Sequence, residues 1–233
     1  SLTVYGIGTL NATCSDRAAA IGNAPKVYGA FNTIRLDGAH INATGGSFSP
    51  AIGASWGSYG GGTVAVSNGT HPLTGGIHAP ALGAGANASV NLIDISGGTT
   101  YIRAGEGNGG VALGAGVNGG ITQIKQTGGT VSAFAGEEGL GNSAIGVAYD
   151  VSQSLASGSQ TTYNLSGGTA KVYGNPAVGS RTVVPADEPL PGHRGFFLDQ
   201  YVYNFYESTR GAEIDLNPTV FPIGASADEL SYT

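Results

Sequence analysis

The sequence predicts an all-β protein: a parallel β-solenoid of about five coils, each 30–32 residues long, followed by a β-rich C-terminal cap or assembly segment. Two short elements recur in step along the chain, and glycine, 42 of 233 residues, falls at matching places in each copy. Two independent elements held in phase over five copies are the signature of stacked repeats.

The first element reads "AAIGNA" from Ala19, "PAIGAS" from Pro50, "PALGAG" from Pro80, "VALGAG" from Val111 and "SAIGVA" from Ser143. Its aliphatic position is Ile21, Ile52, Leu82, Leu113 and Ile145. The second element reads "IRLDGAHINATGG" from Ile34, "VAVSNGTHPLTGG" from Val64, "IDISGGTTYIRAG" from Ile93, "IKQTGGTVSAFAG" from Ile124 and "YNLSGGTAKVYG" from Tyr163. Each unit therefore predicts a strand, a glycine-containing corner, a second strand, a loop and a short third strand. Apolar residues alternate at period two on either side of the corner, as in Ile93 and Ile95 and then Thr100 and Ile102, and no segment carries a 3.6-residue stripe. Glycine and asparagine reach positive φ at low cost, which suits a sharp corner.

The solenoid domain is expected over 1–180. Residues 1–33 carry only the third-strand element and predict an imperfect first coil. Five coils give a prism about 24 Å long, with sheet edges at its ends that need capping. From Arg181 the composition changes: 181–233 holds four glycines, but five of the ten prolines, eight of the fifteen acidic residues and eight Phe/Tyr. "VVPADEPLPGHRG" reads as a connection, and "FFLDQYVYNFYES" and "AEIDLNPTVF" read as β-rich packing segments.

Bulk composition excludes several classes. A hydrophobic content of 40% argues against disorder. Nine Lys+Arg against fifteen Asp+Glu, net charge −6 and no basic run argue against a nucleic-acid partner. No apolar run reaches the length of a spanning helix. No signal peptide precedes Ser1 and no methionine is present, so the expectation is an exported, processed chain or a trimmed one. The single cysteine, Cys14, leaves the redox compartment open. Asn-x-Ser/Thr sequons begin at Asn11, Asn42, Asn68, Asn87 and Asn164 and permit glycosylation.

Outward positions stack into columns. His40, Thr70, Thr99, Thr130 and Thr169 follow the corner, and Asp37, Ser67, Ser96, Thr127 and Ser166 precede it. The next column, Asn42, Pro72, Tyr101, Ser132 and Lys171, is too mixed for the flat hydroxyl ladder that ice binding would use. A further column, Thr44, Thr74, Arg103, Phe134 and Tyr173, joins Tyr101 in an aromatic and arginine patch. That patch is a candidate surface for a ligand or partner, because exposed rings stack on sugar faces or anchor proteins; alternatively the C-terminal segment folds over it.

In the third strand Ala51, Ala81 and Ala112 flank one side of the aliphatic residue and Gly53, Gly83 and Gly114 the other. Facing outward they would form a smooth stripe for close assembly of copies; facing inward they would permit a tight bend against the core. Glu106 and Glu137 follow matching "AG" dipeptides one coil apart, a spacing that fits a glycosidase pair or two solvated carboxylates. Asp94 and Lys125 share a column and are expected to pair at the surface. His40, His71, His78 and His193 lack metal-ligand spacing. No catalytic residue, cofactor site or metal site is assigned.

The phrase "ISGGTTYIRAGEGNGGVALGAG" resembles the "ISGGTV…GAGIGGG" repeats of glycine-rich bacterial surface proteins of adhesin-like type, over roughly Ala18 to Gly174. "VSNGTHPLTGG" departs from the pattern, with His71 and Pro72 expected to interrupt the strand. More broadly the chain resembles the right-handed β-helix, and that handedness is what the resemblance implies. The resulting expectation is a non-enzymatic, extracellular structural or adhesive protein, secreted or surface-associated, that binds copies of itself as a filament or closed oligomer. The alternative is a carbohydrate-binding module or phage receptor-binding tip working through Tyr101, Arg103, Phe134 and Tyr173; a polysaccharide-cleaving β-helix is a third reading.

Overall fold

The computed structural model describes residues 1–29, 31–107, 111–135, 144–148, 162–173, 178–179 and 213–216. Among them there is no helix, and the strand pairings are parallel throughout. The chain is a parallel β-solenoid of about four turns, with further rungs of the same kind stacked toward its C-terminal side.

The first turn contains β1 (Leu2–Tyr5), β2 (Thr9–Thr13) and β3 (Ile21–Gly22). The second has β4 (Thr33–Thr44) and β5 (Ile52–Ala54), and the third β6 (Thr63–Thr74) and β7 (Leu82–Ala84). The fourth has β8 (Ser89–Ile95), β9 (Thr99–Arg103) and β10 (Leu113–Ala115). Then follow β11 (Gly120–Gln126), β12 (Thr130–Phe134), β13 (Ile145–Val147), β14 (Thr162–Leu165), β15 (Thr169–Tyr173), β16 (Val178–Gly179) and β17 (Glu213–Leu216). One sheet runs β14-β11-β8-β6-β9-β12-β15-β17, with β4 joining β1, β2 and β6; the other runs β16-β13-β10-β7-β5-β3.

The register is the one the repeats predict. Ile34, Val64, Ile93, Ile124 and Tyr163 pair rung to rung, as do Ile21, Ile52, Leu82, Leu113 and Ile145. All ten are buried. Branched aliphatic residues suit a parallel sheet buried on its inner face, and each buried Ile, Leu or Val contributes roughly 1.5–3 kcal/mol. Gln126 is the polar member of a register column that otherwise holds Val4, Leu36, Val66, Ile95 and Leu165. It is fully satisfied there: the Tyr163 hydroxyl donates to its Oε1 at 2.9 Å, and its Nε2 donates to the Thr169 carbonyl at 3.0 Å. Burial pushes the Tyr163 hydroxyl far above its ordinary pKa and so keeps that proton in place.

Corner glycines Gly38, Gly69, Gly98, Gly129 and Gly168 have φ between 74° and 102°, the conformation the sequence called for. Where the corner holds one glycine, as in "DGA" and "SNG", β4 and β6 run through it unbroken. Where it holds the pair "GG", the strand splits into β8 and β9 or β11 and β12.

The first coil expected before Thr33 contains strands at all three places, β1 pairing Leu2 with Ile34 and β2 pairing Thr9 with His40. The sequence left its first two strands unmarked because "TVYGIGTLNAT" turns on Gly6, φ 109°, without the "GG" of later corners. One expectation is corrected: His71 and Pro72 do not interrupt the strand. β6 carries both in register with Thr100 and Tyr101, His71 pointing in and Pro72 out, so the ladder tolerates one missing donor. Of 181–233, Glu213–Leu216 pairs with β15 as the next rung; the proposed cap otherwise lies outside the described residues.

A Cβ on Gly83 would fall on the Gly114 carbonyl oxygen, and Gly83 itself has φ 141°. Gly83→Ala is expected to cost about 4 kcal/mol or more, combining backbone strain with a steric clash. Gly8, which has open space around it, serves as the control: urea unfolding of Gly8→Ala should stay within about 0.5 kcal/mol of wild type.

Candidate functional site

The parallel register gathers the predicted patch. Arg103 on β9, Phe134 on β12 and Tyr173 on β15 are direct rung neighbours. Arg103 Cζ lies 5.7 Å from the Phe134 ring centroid, and the Phe134 and Tyr173 rings stack at 4.8 Å with 6° between planes. Tyr101 sits two residues before Arg103 on the same outward face and is 48% exposed. Its rung neighbours are Pro72 and Ser132, and neither brings an aromatic ring to stack on it. All four predicted residues therefore share one outward surface.

The predicted assembly stripe is corrected. Ala51, Ala81 and Ala112 have no exposed surface, and Gly53, Gly83 and Gly114 are buried as well. At each of these glycines a Cβ would fall on the carbonyl oxygen of the next rung's glycine, so backbone lies against backbone between rungs. This small-residue column is internal packing.

Other columns resolve simply. The hydroxyls of Ser67 and Ser96 donate to the Leu36 and Val66 carbonyls of the preceding rung, at 3.2 and 3.4 Å. Glu106 is exposed, and its column mate Glu137 lies outside the described residues. Lys125 is the rung neighbour of Asp94, but the ion pair that closes among the described residues is Arg35–Asp37 at 3.5 Å. Among those residues no helix is long and apolar enough to cross a membrane.

A second cluster, unforeseen from sequence, forms where two loops flanking the third strand meet. The Trp56 N–H donates to the buried Ser49 hydroxyl at 2.9 Å, and the Ala86 N–H donates to the Phe48 carbonyl at 2.9 Å. The Ser55 hydroxyl donates to the Asn23 carbonyl and accepts from the Ala19 N–H, and the Ser58 hydroxyl donates to the Ala24 carbonyl at 2.9 Å. The Ser55 and Ser58 bonds tie the first turn's loops to the second's. On this framework Arg17 Cζ lies 4.5 Å from the Trp56 ring centroid and 5.7 Å from that of Phe48, and Lys26 Nζ lies 4.8 Å from Trp56. Phe48 stacks on His78 at 5.2 Å, and beyond Lys26 the Tyr28 and Tyr59 rings stack at 6.0 Å.

Three members of this cluster have unusual backbones. Lys26, Phe48 and His78 have φ of 58°, 61° and 62°, and among the described residues the other non-glycine residues at positive φ are Asn87 and Asn118. The Lys26 position recurs as Gly57, Asn87 and Asn118 on later rungs, each in the same left-handed conformation. A side chain other than Gly or Asn costs roughly 1–2 kcal/mol there.

No protein-family model matches the chain, and no curated protein or solved structure is similar to it. The site therefore rests on its own geometry.

Two predictions follow from these positions. Lys26→Gly relieves the strained backbone while adding unfolded-state entropy, so urea unfolding should show stability unchanged or raised by up to about 1 kcal/mol. The second concerns His71, which is fully buried, donates from Nε2 to the Asn68 carbonyl at 2.8 Å and has no partner at Nδ1. Burial holds its pKa below 6.5, opposed by that hydrogen bond and reinforced by His40. Because the unfolded chain binds the proton more readily, stability is full above about pH 6.5 and falls as pH drops through the lower native value. His71→Val should flatten the stability profile between about pH 7 and about pH 5 relative to wild type.

Proposed function

We propose that the protein is a non-enzymatic, extracellular adhesive protein whose solenoid presents saccharide-contacting rings, in the manner of the glycine-rich adhesin-like repeats its sequence resembles. The observation that carries this reading is the outward surface made by Tyr101, Arg103, Phe134 and Tyr173. Four residues from three rungs occupy it, two of them stacked rings and one a guanidinium beside a ring. Parallel rungs fix their spacing, so little side-chain freedom remains to be lost on binding. Sugar rings offer the flat C–H faces that such aromatics take up, and arginine supplies donors for hydroxyls.

Self-association is a second reading, supported by a different observation. Strands β1 and β2 and the turn between them expose Leu2, Tyr5, Ile7 and Leu10, at 47%, 79%, 102% and 37%. An apolar rung of this kind suits stacking against a second copy. Burial of the alanine and glycine column removes one surface that this reading could have used, so saccharide contact is the better supported of the two.

A glycan array with wild type and Phe134→Ala tests the first reading. Binding by the wild type that drops at least about tenfold in the variant supports it, as expected for loss of one buried-ring contact. Absence of wild-type binding, or binding indifferent to Phe134, overturns it. Light scattering across a concentration series tests the second: a concentration-dependent oligomer that Ile7→Lys disperses supports it, and a monomer at every concentration overturns it.

A further inference from the structure

We propose that Trp56, Arg17 and Lys26 form a binding site for an acidic saccharide, one carrying carboxylate or sulfate groups. The proposal extends the saccharide-contacting reading to a separate surface in the first turns of the solenoid.

Two cations lie over one indole, at 4.5 and 4.8 Å from its centroid. The chain carries a net charge of −6, yet among the described residues neither Arg17 nor Lys26 is ion-paired. Like charges drawn to one ring repel each other, and an anion bound beside them relieves that repulsion. Arg17 offers a planar fork that matches carboxylate or sulfate, and Lys26 a mobile point charge. The half-buried Trp56 and Phe48 rings beside them supply apolar faces for the sugar ring carrying the anion.

The surroundings show that this geometry is held in place. Buried Ser49, Ser55 and Ser58 spend their hydroxyls on fixing the loops that bear Trp56, Lys26 and Arg17. Among the described residues, the three at positive φ that are neither glycine nor asparagine, Lys26, Phe48 and His78, all belong to this cluster. Later rungs place Gly57, Asn87 and Asn118 where Lys26 stands. Among the described residues, the left-handed turn positions that carry a side chain other than glycine or asparagine all lie in this cluster, and such strained positions are often found at binding sites.

Trp56 is the single tryptophan of the chain, so its emission reports on this site alone. The full chain is titrated with oligogalacturonate, a chondroitin sulfate oligosaccharide, a neutral cello-oligosaccharide and polyglutamate. The expected result is a saturable change in Trp56 emission with at least one acidic saccharide, at least tenfold tighter than with the neutral sugar or polyglutamate; which acidic sugar responds identifies the anion. Lys26→Gly, which relieves the left-handed backbone and so keeps the fold, and Arg17→Ala should each weaken binding about tenfold, the loss expected for one charge-assisted hydrogen bond. Phe134→Ala should leave the Trp56 titration unchanged, which separates this site from the ring surface of the later rungs. No saturable change with either acidic saccharide, equal affinity for the neutral sugar or polyglutamate, or full affinity in Lys26→Gly overturns the proposal.

Discussion

The contact on which the rest of the structure depends is backbone against backbone at the stacked third strand. Gly53, Gly83, Gly114 and Gly146 lie in register, with φ of 137°, 141°, 149° and 148°. No Cβ fits between one rung and the carbonyl of the next. That approach keeps consecutive rungs at sheet spacing along the short strands. The larger sheet can then stack its aliphatic columns without a gap, because the third side of the coil neither lengthens nor shortens the stack.

The same constraint produces the two surfaces. In-register stacking carries a residue at a given position of one repeat onto its counterparts above and below, so Arg103, Phe134 and Tyr173 become a contiguous surface although about thirty to forty residues separate them in the chain. The loop cluster arises differently. Trp56 and Phe48 stand on opposite sides of β5 in sequence, and the Trp56 N–H joins their loops by one hydrogen bond to the Ser49 hydroxyl. The first surface follows from repetition along the solenoid axis, and the second from a contact within a single rung.

The interior is permissive where it can complete hydrogen bonds and strained where it cannot. Gln126 is accepted in an aliphatic column because Tyr163 and two backbone carbonyls meet its amide. His71 and Thr100, adjacent on the next inner column, leave Nδ1 and Oγ1 buried without a partner. Unpaired buried groups are uncommon in folded proteins, and burial makes protonation of His71 in this pair unfavourable.

By itself, the sequence determined the all-β solenoid, the columns Ile34-Val64-Ile93-Ile124-Tyr163 and Ile21-Ile52-Leu82-Leu113-Ile145, the positive φ of the corner glycines and the shared face of Tyr101, Arg103, Phe134 and Tyr173. All of these follow from period-two alternation multiplied by a constant repeat, which a one-dimensional reading captures. Tertiary structure alone decided three matters: that "TVYGIGTLNAT" completes a first turn, that the alanine and glycine column faces inward, and that Arg17, Lys26, Phe48, Trp56 and His78 converge. The first was hidden because its corner lacks the repeated "GG", and a strand without its neighbours carries little signal. The second turns on the direction a column faces, which small residues permit either way. The third depends on loops closing across a strand, and no spacing in sequence encodes the distance between two loops whose meeting is fixed by a buried serine hydroxyl.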